Sequence, residues 1–103
     1  MERSARRAAN ATRTNVNHTA PVYYVYIVRC ADGSLYTGLA RHPEERVAVH
    51  NAGRGAKYTF ARRPVALVYQ EAVDSLSDAL KRESQIKNLS RAKKDALIAG
   101  DLV

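Results

Sequence analysis

Two tyrosines lie ten positions apart: Tyr26 ends the run Tyr24-Val25-Tyr26 and Tyr36 opens Tyr36-Thr37-Gly38. Arg46 follows ten residues after Tyr36, His50 four after that, and a lone glutamate, Glu83, interrupts the apolar spacing of a helix further on. Hydrolysis of a phosphodiester needs a carboxylate that can hold a metal ion, a proton acceptor beside the attacking water, and cations around the phosphate. These residue types supply all three. Each also has an ordinary explanation when taken alone. Tyrosines are common in strands, Arg46 can pair with an acid on its own helix, and His50 can be a surface histidine. Glu83 can sit at the edge of its stripe and pair with Lys87 or a surface arginine.

The elements that must position these side chains follow from pattern. Val22 to Cys30 is rich in Tyr, Val and Ile and reads as a strand. Asp32-Gly33 is a hairpin signal, and Leu35 to Leu39 is the antiparallel partner. Two turns are compatible with it. A two-residue turn at Asp32-Gly33 sets Tyr36 opposite Arg29, on the face away from Tyr26. A three-residue turn, Ala31-Asp32-Gly33 with a left-handed glycine, sets Tyr36 opposite Val28, so that Tyr24, Tyr26 and Tyr36 share one face. Pro43 suits the first turn of a helix running to Asn51 and ended by Gly53, with Arg46 and His50 at i and i+4 on one side. Arg54 to Arg63 reads as a basic loop broken by Gly55, and Val65 to Tyr69 as a short strand. Ser75 or Ser77 caps a helix to about Leu89; Ser90 caps another, Arg91 to Ala99, closed by Gly100. In the first of these, Leu76, Ala79, Leu80 and Ile86 are spaced to face the core, with Glu83 among them. The order is β-β-α-β-α-α.

A chain of 103 residues makes one domain with a single modest core. Its longest apolar run, Val22 to Val28, is too short to span a bilayer. Cys30 is the only cysteine, which excludes an intrachain disulfide and a cysteine-based zinc site and is compatible with a reducing cytoplasm. The net charge is +7, and it is spread along the chain. Residues 1–20 carry four Lys/Arg against one acid and read as a disordered basic arm, leaving 21–103 as the folded domain. No acid occurs between Glu45 and Glu71, where Arg46, Arg54, Lys57, Arg62 and Arg63 are interleaved with Tyr58, Phe60 and Tyr69. A basic strip with aromatics fits a nucleic-acid backbone, and charge alone fits an ordinary solvated surface equally well.

Taken together and in order, Tyr24-Val25-Tyr26, Asp32-Gly33, Tyr36-Thr37-Gly38, Arg46, His50-Asn51 and Glu83 resemble a GIY-YIG nuclease domain. Tyr24-Val25-Tyr26 stands where that family has Gly-Ile-Tyr, and Tyr36-Thr37-Gly38 where it has Tyr-Ile-Gly. Gly55-Ala56-Lys57-Tyr58-Thr59 and Arg63-Pro64 extend the likeness to the small stand-alone bacterial members, over roughly residues 22–99.

The resemblance implies an α+β fold, a small three-stranded antiparallel sheet flanked by helices. It implies a metal-dependent endonuclease acting on nucleic acid, DNA ahead of RNA, in repair or processing. Carried over by position, Glu83 would hold Mg²⁺ or Mn²⁺ and Tyr26 would help deprotonate the attacking water. Tyr36 or His50 would assist, and Arg46 would bind the phosphate. Arg54, Lys57, Tyr58, Arg62 and Arg63 would contact the strand. A joint site requires the three-residue turn. Two departures stand out: the first motif lacks its glycine and isoleucine, and the asparagine many members carry beyond the glutamate is not at its usual spacing. Asn88 comes only five residues after Glu83, and Lys93, Lys94 and Asp95 occupy later positions. A module that binds nucleic acid without cutting it is the alternative, and a partner protein or a homodimer is a possible source of specificity.

Overall fold

The computed structural model describes residues 22–101; the basic arm expected over 1–20 lies outside them. The elements are β1 (Tyr23–Arg29), β2 (Leu35–Ala40), α1 (Pro43–Asn51), α2 (Lys57–Phe60), β3 (Ala66–Val73), α3 (Leu76–Lys87) and α4 (Arg91–Ala99). They form one antiparallel sheet in the order β2-β1-β3. The α+β architecture is the expected one, with an added helical turn, α2, inside the segment read as a loop, and a β3 that runs four residues past Tyr69.

Central position explains β1. Its Val25, Tyr26, Ile27 and Val28 are all buried, because both faces of the strand are covered. Val25 and Ile27 pack with Ile86 of α3 and Leu97 of α4. Tyr26 and Val28 pack on the opposite face with Cys30 and Val65, flanked by Tyr36 and by Val47 of α1. The alternation of side chains along the strand therefore divides the molecule into an α3/α4 side and an α1 side.

The hairpin takes the three-residue turn. The Gly33 N–H donates to the Cys30 carbonyl at 2.9 Å, and the Cys30 N–H donates to the Ser34 carbonyl at 2.8 Å. Gly33 has φ +85, a left-handed conformation that costs glycine nothing. The register that follows sets Val28 opposite Tyr36 and Tyr26 opposite Gly38. Tyr24, Tyr26 and Tyr36 thus share the α1 face.

The rotation of α3 differs from the expectation. Ala79 and Ile86 are buried as expected, but Leu76 and Leu80 are 47% and 50% exposed. At about 100° per residue, Arg82 lies about 60° to one side of Ala79 and Glu83 about 40° to the other, with Leu76 and Leu80 beyond Glu83. Arg82 reaches β3, where its Nε donates to Glu71 Oε2 at 2.7 Å. The Tyr69 hydroxyl donates to the same carboxylate. That clamp turns the leucines out. Ser75 alone caps the helix, its hydroxyl accepting the Asp78 N–H at 3.1 Å.

The clamp makes a prediction about stability. Burial pushes the Glu71 carboxyl up, but hydrogen bonds from Arg82 and Tyr69 outweigh it and hold it below its ordinary value. Its contribution is complete above the unfolded carboxylate pKa and is lost as pH falls through the lower folded value. Burial, and then Glu71, push the Tyr69 phenol up to about 12. Its contribution is complete below the unfolded value of ~10 and is lost as pH rises toward the folded one. Arg82→Ala is expected to cost about 1–2 kcal/mol at neutral pH. It should also shrink the acid-range dependence, because Arg82 is what holds Glu71 down, and enlarge the alkaline one, because Arg82 opposes the rise at Tyr69, as read from thermal melts across both ranges.

Candidate active site

Gly38 is the residue that lets the site exist. The Tyr26 ring lies across β2 at this glycine, and a Cβ at position 38 would come within 2.5 Å of Tyr26 Cζ and collide with its hydroxyl. Tyr26 is 1% exposed, held over Gly38 on the α1 face. Its hydroxyl lies 2.9 Å from His50 Nε2. The charges of Arg46 and Glu83 act on the same hydroxyl in opposite directions. Tyr26 of β1 and Tyr36 of β2 thus both meet His50 of α1, with ring centroids 6.1 and 5.4 Å from the imidazole.

Burial is the main influence on Tyr26 and raises its pKa. Arg46 opposes this, while Tyr36 and Glu83 add to it. At neutral pH the residue is therefore a phenol, not the phenolate that water activation needs at the moment of attack. His50 has no exposed surface, so it cannot touch a substrate water itself. Burial, and then Arg46, lower its pKa, which keeps the imidazole neutral. The backbone at Gly55 lies flat against the ring; a Cβ there would be 2.8 Å from His50 Cγ and Cε1. Tyr36 packs edge-on against the imidazole with centroids 5.4 Å apart.

Glu83 is half-buried, with 18% of its side chain exposed, and its Oε2 lies 3.5 Å from Lys87 Nζ. The pairing weighed as an ordinary explanation is therefore present, alongside the electrostatic effect on Tyr26. Among the described residues no group of three or more His, Cys, Asp or Glu gathers to hold a metal. This donor set does not suit a closed all-protein cage. It suits Mg²⁺ or Mn²⁺, which keep several waters and take the rest of their ligands from a phosphate.

The basic strip is partly occupied by its own contacts. Tyr58 stacks on Tyr36 at 5.9 Å and 22°, and the Arg62 guanidinium sits 3.8 Å from the Tyr58 ring centroid. Arg62 also pairs with Asp32 of the hairpin loop at 3.2 Å. Arg63 lies over Phe60 at 4.4 Å and donates to the Phe60 carbonyl at 2.7 Å. Arg54 and Lys57 are exposed beside them. Of the later positions beyond Glu83, Asn88 is the C-cap of α3 and Asp95 pairs with Arg91 at 3.0 Å.

Two residues of the site region were not singled out by sequence. Thr59, on the inner side of α2, is fully buried with its Oγ1 2.8 Å from His50 Nδ1. Asn51 ties the end of α1 to the start of β3, accepting the Val65 N–H at 2.7 Å and donating to the Val65 carbonyl at 3.0 Å. Both stood within segments quoted for the family resemblance, which is the only signal the sequence offers for them.

A three-stranded antiparallel sheet with two tyrosines on one face, a helix-borne arginine and histidine, and a half-buried glutamate on α3 defines a GIY-YIG type of nuclease domain. Residues 22–95 match the GIY-YIG catalytic domain, and the chain belongs to that family. Within it, the chain is 61% identical over 77 residues to a UPF0213 protein of Staphylococcus saprophyticus, covering 75% of this chain and 94% of that one. A UPF0213 protein of Staphylococcus haemolyticus is 58% identical over 76 residues, 74% of this chain and 93% of that one. Two solution NMR structures are similar. The UPF0213 protein of Bacillus halodurans is 44% identical with a TM-score of 0.50, covering 76% of this chain and 83% of that one. A protein of E. faecalis is 40% identical with a TM-score of 0.54, covering 77% and 84%. Members of the GIY-YIG family are nucleases that generally use divalent metal ions and bind nucleic acid.

Proposed function

We propose that this chain is a metal-dependent endonuclease that hydrolyses phosphodiester bonds of nucleic acid, DNA in the first instance, in repair or processing. The observation that carries the reading is the Tyr26 hydroxyl, 2.9 Å from His50 Nε2, on which the charges of Arg46 and Glu83 act. An attacking water gives its proton to Tyr26 Oη as Tyr26 passes its own to His50 Nε2. The water oxygen bonds to phosphorus and the bond to the leaving sugar oxygen breaks. The relay removes the need for a standing phenolate, which the buried setting disfavours. It requires Nε2 to be the unprotonated ring nitrogen. Arg46 neutralises charge developing on the phosphate. Tyr36, held between His50 and Tyr58, completes the wall beside Tyr26. Glu83 would hold a divalent cation, which when bound supplies charge stabilisation at the phosphate and its leaving oxygen.

Arg54, Lys57, Tyr58, Arg62 and Arg63 form the strand-binding strip in this reading. Arg62 is partly neutralised by Asp32, so fewer than the full set of cations release counterions. For duplex DNA the slope of log K against log salt is expected to be about −3 to −4. The pair Arg54→Ala and Lys57→Ala should make it shallower by about two, as measured by fluorescence anisotropy.

No helix among the described residues is long and apolar enough to cross a membrane; a cytoplasmic location is part of the proposal, as is a partner protein or a second copy as a source of specificity. One observation favours the non-catalytic alternative, the Glu83–Lys87 pair, which occupies the carboxylate. Incubating the protein with labelled single-stranded, duplex and branched DNA and with RNA, with Mg²⁺ or Mn²⁺ and then with chelator, separates the two. Cutting that stops on chelation supports the nuclease. Binding of all substrates with no cutting under any condition supports the alternative.

A further inference from the structure

His50 is enclosed by polar partners whose proton count is fixed. Thr59 Oγ1 lies 2.9 Å from the Ala56 carbonyl and 2.8 Å from His50 Nδ1. A carbonyl only accepts, so the single Thr59 hydroxyl proton goes to Ala56. The Oγ1 lone pair then faces Nδ1, and a contact of 2.8 Å between the two is favourable only if Nδ1 carries the hydrogen. The Ala56 N–H is also near Nδ1, at 3.3 Å, and it favours the opposite tautomer. The shorter contact wins while the threonine is there. Remove its oxygen and only the Ala56 donor faces Nδ1.

We propose that Thr59 is a positioning residue that fixes the tautomer of His50, keeping the proton on Nδ1 so that Nε2 stays free to take the proton of Tyr26. The result is a one-directional chain, from the Tyr26 hydroxyl to Nε2, from Nδ1–H to Thr59 Oγ1, and from Thr59 to the Ala56 carbonyl. Every member is placed at 2.8–2.9 Å, and the ring and the threonine are fully buried. Water is thereby excluded from choosing the tautomer. This gives α2 its purpose: a four-residue helical turn with no side-chain cap of its own carries Thr59 to the imidazole. The catalytic consequence rests on the nuclease reading; the tautomer itself does not.

The test is long-range ¹H–¹⁵N correlation NMR of histidine-labelled protein, with His50 assigned by comparison with His50→Gln. The wild type and Thr59→Ser should both show Nδ1 protonated. Thr59→Val should move the proton to Nε2 and, on any substrate the wild type cuts, lower the rate about 100-fold, while Thr59→Ser stays within about threefold. Thermal melts of the three proteins report whether the valine variant folds. A wild-type His50 protonated on Nε2 overturns the proposal without any variant. So does a folded Thr59→Val protein that keeps the proton on Nδ1. If the wild type cuts nothing, the nuclease reading fails and the NMR result still decides the role of Thr59.

Discussion

Glu83→Gln is expected to abolish metal-dependent cleavage, by about 10³-fold or more, while leaving the fold and nucleic-acid binding in place. Glutamine keeps the shape and removes the charge. No group of three or more His, Cys, Asp or Glu gathers among the described residues, so no ready-made alternative metal site takes over from the lost carboxylate. Losing several kcal/mol of charge stabilisation at the phosphate corresponds to a rate loss of this order. The effect on stability should be small. Among the described residues the ion pair lost is that with Lys87, whose side chain is 53% exposed, and such pairs contribute about 0.5 kcal/mol or less. Single-turnover rates, anisotropy and melting temperatures on the same preparations check the three parts. A variant cutting within tenfold of wild type would remove Glu83 from the chemistry.

Gly38→Ala is expected to damage both stability and activity. Its Cβ would be 2.5 Å from Tyr26 Cζ, and the ring is almost completely buried, so it has no free space into which to retreat. Overpacking of this kind costs about 1–3 kcal/mol, a fall of roughly 5–20 °C in Tm for a domain of this size. Displacing the hydroxyl by about 1 Å from its partners is worth a further ~100-fold in rate. Tyr26→Phe separates the two effects, since it keeps the ring and deletes the hydroxyl. It should lose cleavage with a much smaller loss of Tm. An alanine variant as stable and as active as wild type would mean that Tyr26 does not cross β2 at this position.

The strands and the longer helices were legible because their signals are local: the Tyr/Val/Ile run of β1, Pro43, the caps Ser75 and Ser90, and Gly100 closing α4. The hairpin register was not, because Asp-Gly serves both turns. What decides it is the pairing of Cys30 with Ser34 across the turn together with the burial of Tyr26 and Val28 on the same face. Leu76 and Leu80 misled because their spacing fits a core stripe as well as that of Ala79 and Ile86. The clamp from Arg82 to Glu71 sets the helix rotation, and that is a contact between distant residues that no helical period encodes. The same limit hid α2. Lys57 to Phe60 has too few residues for a periodic signal, and what holds the turn inward is Thr59 meeting a histidine nine positions earlier. Tyr26, Tyr36, Arg46, His50 and Glu83 were recoverable as a set only through family spacing, since each one has an ordinary local explanation.

The central claim is that Tyr26 and Glu83 act together in metal-dependent hydrolysis. The most direct measurement is single-turnover cleavage of one labelled DNA substrate by wild type, Tyr26→Phe and Glu83→Gln, run side by side with Mg²⁺, with Mn²⁺ and with chelator. The account predicts cutting by the wild type only when metal is present, and loss of at least about 100-fold in both variants at unchanged binding. Cutting that survives chelation, or that either variant retains in full, would contradict it.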